Sequence, residues 1–210
     1  MSAPRVGNIA AILFDADGVI QRTRGHWRER FQQMLGRDAD LEAFVAEVFA
    51  AEKPCLTGAE DFPSRLAGLL QRWGSDATVE QALAVWTDIE VNQEIIDRIA
   101  TLRLSGFACH LASNQFAHRA RYMSTELDYR TVFEREFYSC RVGHAKPDEG
   151  YFEHILRELQ LPGDRVVFID DIEPNVAAAR RVGLHGIHFP ANAGAAALAA
   201  HLAAHGIDVA

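Results

Sequence analysis

Two carboxylates, Asp15 and Asp17, end an apolar run near the start of the chain, and Gly18 follows directly. Acids in such a place repel each other unless a cation, a proton or hydrogen-bond donors stabilise them. In an extended segment the residue between them points away, so both acids share a face. Taken alone, the segment is equally consistent with a metal site and with a polar turn, because aspartate and glycine are ordinary turn residues.

Polar groups also follow three later apolar runs. They are Ser113 and Asn114 after residues 107–112, Lys146 after residues 137–140, and Asp170 and Asp171 after residues 165–169. If these strands are parallel, all of these side chains meet at the carboxyl edge of one sheet. The carboxylates would suit Mg²⁺, which commonly bridges protein acids to phosphate. The hydroxyl, backbone N–H and ammonium groups would suit phosphate oxygens.

The elements that must position these residues follow from the hydrophobic pattern. From Asn92 onward, helical segments alternate with short apolar strands, which predicts an α/β fold with a parallel sheet covered by helices on both faces. Residues 21–90 instead show helical periodicity, with helices predicted around residues 41–49, 62–73 and 79–86. We therefore expect a core of residues 1–20 and 91–210 that is interrupted by a helical cap, residues 21–90.

Four motifs, in this order, resemble those of the haloacid dehalogenase-like (HAD) hydrolase superfamily. They are Asp15-Ala16-Asp17-Gly18-Val19, Ser113-Asn114, Lys146-Pro147 and Phe168-Ile169-Asp170-Asp171. The helical segment after the first motif resembles the C1 type of cap in subfamily IA. The resemblance covers nearly the whole chain, and it implies a Rossmann-like, doubly wound parallel sheet with an inserted all-helical cap domain.

The resemblance also implies a role for each motif. Asp15 would attack phosphorus and form an aspartyl-phosphate, and Asp17 would protonate the leaving alcohol and then help to activate water. The Ser113 hydroxyl and the Asn114 N–H would hold the phosphate, and Lys146 would pair with the nucleophile and the phosphate.

The resemblance further implies a Mg²⁺ cofactor held by the Asp15 carboxylate, the Asp17 main-chain carbonyl and an acid of the last motif. We favour Asp171 as the direct ligand and Asp170 as its neighbour, but the sequence leaves that choice open. Asn175 stands where many relatives have another acid.

Substrate contacts from the cap are harder to predict. Arg22, Arg24 and His26 follow the first motif, where C1 proteins have a mobile flap, and Thr57 lies in a loop predicted to face the site. All four are candidates for substrate contact. A solvated turn explains the first three at least as well.

The leading functional hypothesis is a Mg²⁺-dependent phosphomonoesterase that hydrolyses a small phosphorylated metabolite, such as a sugar phosphate. Phosphomutase chemistry of the β-phosphoglucomutase type is the alternative, because it uses the same aspartyl-phosphate. A haloacid dehalogenase is disfavoured, since a departing halide does not need the proton that Asp17 supplies. A non-catalytic metal- or phosphate-binding protein is also disfavoured, because the set of motifs is intact.

Composition narrows the class of partner. The 210 residues are 49% hydrophobic and 24% charged, which is typical of a globular protein, and the net charge of −8 gives no footprint for nucleic acid or an anionic membrane. Residues 1–5 lack the apolar core of a secretory signal, and the three scattered cysteines form no paired framework. We expect a cytoplasmic monomer or homodimer with a small-molecule phosphorylated substrate, and neither nucleic acid nor membrane as a partner.

Overall fold

A five-stranded parallel sheet forms the centre of the protein, for which a computed structural model describes residues 9–36 and 39–207. In chain order its strands are β1 (Ala11–Phe14), β4 (Ala108–Ser113), β5 (Arg135–Tyr138), β6 (Val166–Asp170) and β7 (His185–His188). Their spatial order is β5-β4-β1-β6-β7, and every neighbouring pair is parallel. The predicted doubly wound parallel sheet is confirmed. Its carboxyl edge is where ligands collect in such folds.

Alternate residues of β1 enter different hydrophobic clusters. Ile12 and Phe14 pack in one cluster, whereas Ala11 and Leu13 pack in another. Because side chains alternate across a strand, an uninterrupted apolar run is what a strand buried on both faces requires. This burial fixes the register of the strand that ends at Asp15.

Helices cover both faces of the sheet. They are α5 (Gln93–Leu104), α6 (Ala117–Thr125), α7 (Tyr129–Val132), α8 (Ser139–Val142), α9 (Glu149–Leu159), α10 (Glu173–Arg181) and α11 (Gly194–Ala204). Buried residues of α5, α6, α7 and α11 join the cluster of Ile12 and Phe14, and those of α9 and α10 join the cluster of Leu13. A 3₁₀ turn, Gly163–Arg165, precedes β6.

A second group of helices is inserted in the chain between β2 (Gln21–Thr23) and β3 (Ile89–Val91). These two strands pair antiparallel at the base of the inserted segment. We call residues 27–87 the insert. It contains α1 (Trp27–Leu35), α2 (Leu41–Glu52), a 3₁₀ turn (Lys53–Thr57), α3 (Phe62–Arg72) and α4 (Val79–Thr87). Asp40, Asp61 and Thr78 cap α2, α3 and α4 by accepting hydrogen bonds from backbone N–H groups, which fixes where these helices begin.

The insert has its own aromatic core, and the rest of the protein contributes to it. Phe31 contacts Phe44 and Trp86 with ring centroids 5.5 and 5.6 Å apart. Phe116, which directly precedes α6, lies 4.5 Å from Phe62 and is buried in the same cluster. The insert therefore rests on the segment that follows β4.

Three details differ from the sequence predictions. The strand predicted at residues 137–140 ends at Tyr138, because Ser139 begins α8 and its hydroxyl accepts a hydrogen bond from the Gln115 N–H at 2.9 Å. Helix α1 was not predicted, although Trp27, Phe31 and Leu35 have the spacing of one helical face. Strands β2 and β3 were also missed, because three residues are too few for an alternating pattern.

The proposed division into residues 1–20, 21–90 and 91–210 stays a prediction, and residues 1–8 and 208–210 of its core lie outside the described residues. Within residues 9–36 and 39–207, no helix combines the length and the apolar character needed to span a membrane.

Candidate active site

A cavity of about 240 Å³ opens at the carboxyl edge of the sheet. The predicted site residues that line it are Asp15, Asp17, Ser113, Asn114, Lys146 and Asp171. They follow β1, β4 and β6 directly, and Lys146 reaches the same place from the loop after α8. The structure thus brings all four motifs together, as the parallel strand ends require.

Lys146 lies at the centre of the buried charges. Its Nζ is 2.8 Å from Asp15 Oδ1 and 2.6 Å from Asp170 Oδ2, and it donates a third hydrogen bond to the Ala112 carbonyl. Burial opposes the charge of the ammonium, but the two carboxylates raise the pKa of Lys146 overall. Burial raises the pKa of Asp15 to about 7 even though Lys146 lowers it. One ammonium therefore does not fully stabilise two buried acids.

Asp170 and Asp171 have different environments although they are adjacent. Asp170 is fully buried and accepts hydrogen bonds from Lys146 Nζ, the Ile172 N–H and Asn175 Nδ2. Asp171 lines the cavity, and its Oδ1 is buried without a hydrogen-bond partner. Burial and the neighbouring charge of Asp170 raise the pKa of Asp171. Of the two, Asp171 is the acid with an oxygen free for a cation, and Asn175 orients Asp170.

The donor set fits a divalent cation. Asp15, Asp170 and Asp171 each offer a carboxylate oxygen, and these oxygens lie within 4.8 Å of one another. Hard oxygen ligands suit Mg²⁺. Gly18 allows the close approach of Asp171, because its φ is +82° and a Cβ there would lie 2.2 Å from Asp171 Oδ2.

Ser113 is held by the side chain of Gln115, and Asn114 is held by the main chain of Lys146. The Ser113 hydroxyl accepts a hydrogen bond from Gln115 Nε2 at 3.0 Å. Asn114 Nδ2 donates to the Lys146 carbonyl at 2.8 Å, and Asn114 Oδ1 accepts from the Lys146 N–H at 2.9 Å. The amide of Asn114 therefore ties the lysine loop to the end of β4.

Asp17 faces the insert as well as the cavity. Arg119 donates to both of its oxygens, at 2.8 and 2.6 Å, and Gln21 and Gln115 donate one hydrogen bond each, at 3.0 and 2.9 Å. Burial by itself would raise the pKa of Asp17, but the Arg119 charge and these hydrogen bonds lower it. The environments thus shift the pKa values of the two acids in opposite directions, upward for Asp15 and downward for Asp17.

Sequence reasoning missed Gln21, Gln115 and Arg119. Arg119 is 6% exposed, and it reaches Asp17 across 102 positions of the chain. The sequence offered little signal, because Arg119 lies in α6 whereas Gln115 lies two residues before that helix begins. The identity of their partner was not visible in the sequence.

The four predicted cap contacts do not line this cavity. Arg22 pairs with Glu90 at 2.8 Å across β2 and β3, Arg24 is exposed, and the His26 side chain is 85% exposed. Thr57 donates to the Pro54 carbonyl. The turn that contains Thr57 packs instead on α8, so closely that a Cβ at Gly58 would lie 2.4 Å from the Cys140 carbonyl oxygen.

A larger cavity, of about 700 Å³, lies within the insert and is lined by α1, α4 and the turn before α4. Its charged lining residues are Arg30 and Asp76. Its lining contains none of the motif residues that line the smaller cavity.

Comparison with known proteins places this site in a family. The model of the haloacid dehalogenase-like hydrolases matches residues 9–183. Sesquiterpene phosphatase astK of Aspergillus oryzae is 34% identical over 90 residues, which are 41% of this chain and 44% of that protein. Enolase-phosphatase E1 of Methylococcus capsulatus is 25% identical over 193 residues, covering 84% of this chain and 82% of that protein. The chain spans 8% to 35% of the length of four other curated relatives.

Solved structures agree on the fold. The HAD family enzyme bt-2542 of Bacteroides thetaiotaomicron, in a complex with magnesium and inorganic phosphate, superposes with a TM-score of 0.77. Its sequence is 20% identical, and the match covers 90% of this chain and 98% of that one. At this identity the likeness establishes the architecture alone.

Proposed function

The chain belongs to the haloacid dehalogenase-like hydrolase family, and we propose that it is a Mg²⁺-dependent phosphomonoesterase that acts through an aspartyl-phosphate on Asp15. The carrying observation is the arrangement of one cavity: Asp15 paired with Lys146, the unpartnered oxygen of Asp171, and Ser113 on the same lining. The phosphatase names of two relatives support the reaction class.

The Asp15 carboxylate, the Asp17 main-chain carbonyl and Asp171 would hold the Mg²⁺. When bound, this ion would supply positive charge to the phosphate and to the surrounding acids. The Ser113 hydroxyl and the Asn114 N–H would donate hydrogen bonds to phosphate oxygens, and Lys146 would keep Asp15 oriented and offset its charge.

In the first step Asp15 attacks phosphorus, and the bond from phosphorus to the alcohol oxygen breaks. The bond electrons remain on that oxygen, and Asp17 donates a proton to it. In the second step the Asp17 carboxylate takes a proton from water while the water oxygen attacks phosphorus. Asp15 then leaves as a carboxylate, so the products are the alcohol and inorganic phosphate.

The volume of the cavity supports a small substrate. About 240 Å³ is below the 300–1,000 Å³ that is common for ligand pockets, so the site fits a phosphate with a short leaving group. A sugar phosphate or another short phosphorylated alcohol is the class that we favour.

Release of phosphate from p-nitrophenyl phosphate and from a panel of metabolites, with and without Mg²⁺, tests the proposal. Asp15→Asn should lower kcat by at least about 10³-fold, since it removes the nucleophile while it preserves the shape of the side chain. Asp164→Asn, which changes an exposed acid before β6, is the matched control and should leave kcat unchanged. An active Asp15→Asn protein would refute the nucleophile assignment. Formation of an isomerised sugar phosphate in place of free phosphate would identify a phosphomutase.

A further inference from the structure

The guanidinium of Arg119 joins the candidate acid of the core to the insert. Its two terminal nitrogens donate to Asp17, and its Nε donates to the carbonyl oxygen of Trp86 in α4 at 2.7 Å. Trp86 is held in turn, because its indole N–H donates to Glu52 in α2 at 3.1 Å. Arg119 is buried, so water competes little for these hydrogen bonds.

Asp17 has no free position for a substrate atom in this arrangement. A carboxylate has about four lone-pair positions, and the four donors from Arg119, Gln21 and Gln115 occupy them. One donor must therefore leave before the oxygen of a departing alcohol can contact Asp17. The two amide bonds are longer and come from neutral donors, whereas Arg119 is a cationic donor, so an amide donor is the one that exchanges.

Arg119 also controls the amide that reaches the phosphate side of the cavity. Gln115 Nε2 donates both to Asp17 and to the Ser113 hydroxyl, at 2.9 and 3.0 Å. Gln115 Oε1 accepts a hydrogen bond from Arg119 at 2.9 Å. One guanidinium thus orients the carboxyl group and the amide that lies between that group and Ser113.

We propose that Arg119 is a positioning residue: it anchors the Asp17 carboxyl group while the leaving oxygen replaces an amide donor, and it makes this geometry depend on the insert through Trp86. The inference rests on the proposed phosphatase function. With four donors Asp17 carries no proton, so it can hold one only after an amide donor has left. The proton that Asp17 takes from the attacking water in the second step of one turnover moves to the alcohol oxygen in the first step of the next, as the bond from phosphorus to that oxygen breaks, and Arg119 keeps its own protons.

Two substrates that differ only in their leaving group test this role. Phenyl phosphate releases phenolate, a basic leaving group whose departure depends strongly on protonation. p-Nitrophenyl phosphate releases p-nitrophenolate, which is less basic, so its departure depends less on protonation. Arg119→Met should lose at least about tenfold more kcat with phenyl phosphate than with p-nitrophenyl phosphate, because general acid catalysis typically contributes 10²–10⁴-fold. Asp17→Asn should show the same pattern. Arg119→Lys should fall between the wild type and Arg119→Met, since an ammonium is not a bidentate donor.

Arg121→Met is the matched control, because Arg121 lies exposed on the same helix. Equal losses of kcat on both substrates in Arg119→Met would show a merely structural role and overturn the inference. So would a wild-type protein that hydrolyses p-nitrophenyl phosphate but not phenyl phosphate. If Arg119→Met fails to fold by circular dichroism, Arg119→Lys decides on the same ratio. A wild-type protein inactive on both substrates with Mg²⁺ would instead refute the proposed function.

Discussion

Two buried cations hold the acids of the site, and they hold them in different ways. Lys146 places one ammonium between Asp15 and Asp170, all within the core, and the side chains of these three residues are at most 9% exposed. The two terminal nitrogens of Arg119 donate to a single acid, Asp17, whose side chain is 40% exposed. The Nε of Arg119 donates to the Trp86 carbonyl in the insert. We call Lys146 with Asp15 and Asp170 the lysine centre, and Arg119 with Asp17 the arginine centre. The lysine centre is buried within the core, whereas the arginine centre is open to the cavity and also contacts the insert.

The comparison also explains the opposite pKa shifts. Lys146 is shared between acids, so burial still raises the pKa of Asp15. Arg119 donates two hydrogen bonds to one acid, and together with the hydrogen bonds from Gln21 and Gln115 it outweighs the effect of burial on the pKa of Asp17. Arginine suits bidentate pairing with a carboxylate, whereas lysine acts as a point charge that several acids can share.

Removal of the lysine charge should have the largest effect on stability. Lys146→Met leaves Asp15 and Asp170 buried without their cation, and it should lower the free energy of unfolding by about 3–5 kcal/mol. Urea denaturation without Mg²⁺ measures this loss. Lys53→Met, at an exposed position, should change stability by less than about 0.5 kcal/mol. A Lys146→Met protein as stable as the wild type would mean that the lysine centre does not depend on its charge.

The arginine centre should be less costly to break. In Arg119→Met the freed carboxylate of Asp17 can turn to solvent, but the Trp86 carbonyl loses its donor. We expect a loss of about 2–3 kcal/mol in the same urea experiment, which is less than for Lys146→Met. Arg121→Met should fall within about 0.5 kcal/mol of the wild type. A larger loss for Arg119→Met than for Lys146→Met would reverse the proposed order of the two centres.

His110 is a buried basic group that, unlike Lys146 and Arg119, forms no ion pair with an acid among the described residues. Its effect on stability should therefore depend on pH. It is 4% exposed in β4, and its Nδ1 lacks a hydrogen-bond partner. Burial, together with the charges of Arg135 and Arg103, lowers the pKa of His110 from 6.5 to about 4. The unfolded chain therefore binds this proton more readily, so its contribution to stability is complete above pH 6.5 and is lost as the pH falls towards 4.

The expected loss from His110 is about 2 kcal/mol between pH 7 and pH 5. Urea denaturation at the two pH values should show a smaller difference for His110→Leu than for the wild type. His154→Leu on α9 is the control histidine variant and should retain the wild-type difference. An unchanged pH dependence in His110→Leu would show that other groups carry it.

The sequence predicted the parallel sheet and the convergence of four strand ends because both depend on local patterns. An apolar run that ends in Asp15 and another that ends in Asp170 each carry their own signal. The pairing of Asp17 with Arg119 carries none, since the two residues are 102 positions apart and meet only in the folded core. Arg22 and Thr57 do not line the cavity, and their contact with a substrate stays a prediction.

The burial of Phe116 in the insert couples the position of the insert to that of Ser113, which lines the cavity. Phe116 is three residues after Ser113, and its ring lies in the aromatic core of the insert. Moving this ring into water would cost about 1.5–3 kcal/mol in transfer alone, and the cavity left behind would add to that cost, so the ring stays in the insert. A movement of the insert would then displace the backbone that carries Ser113. A phosphate bound to Ser113 would in turn restrain the insert.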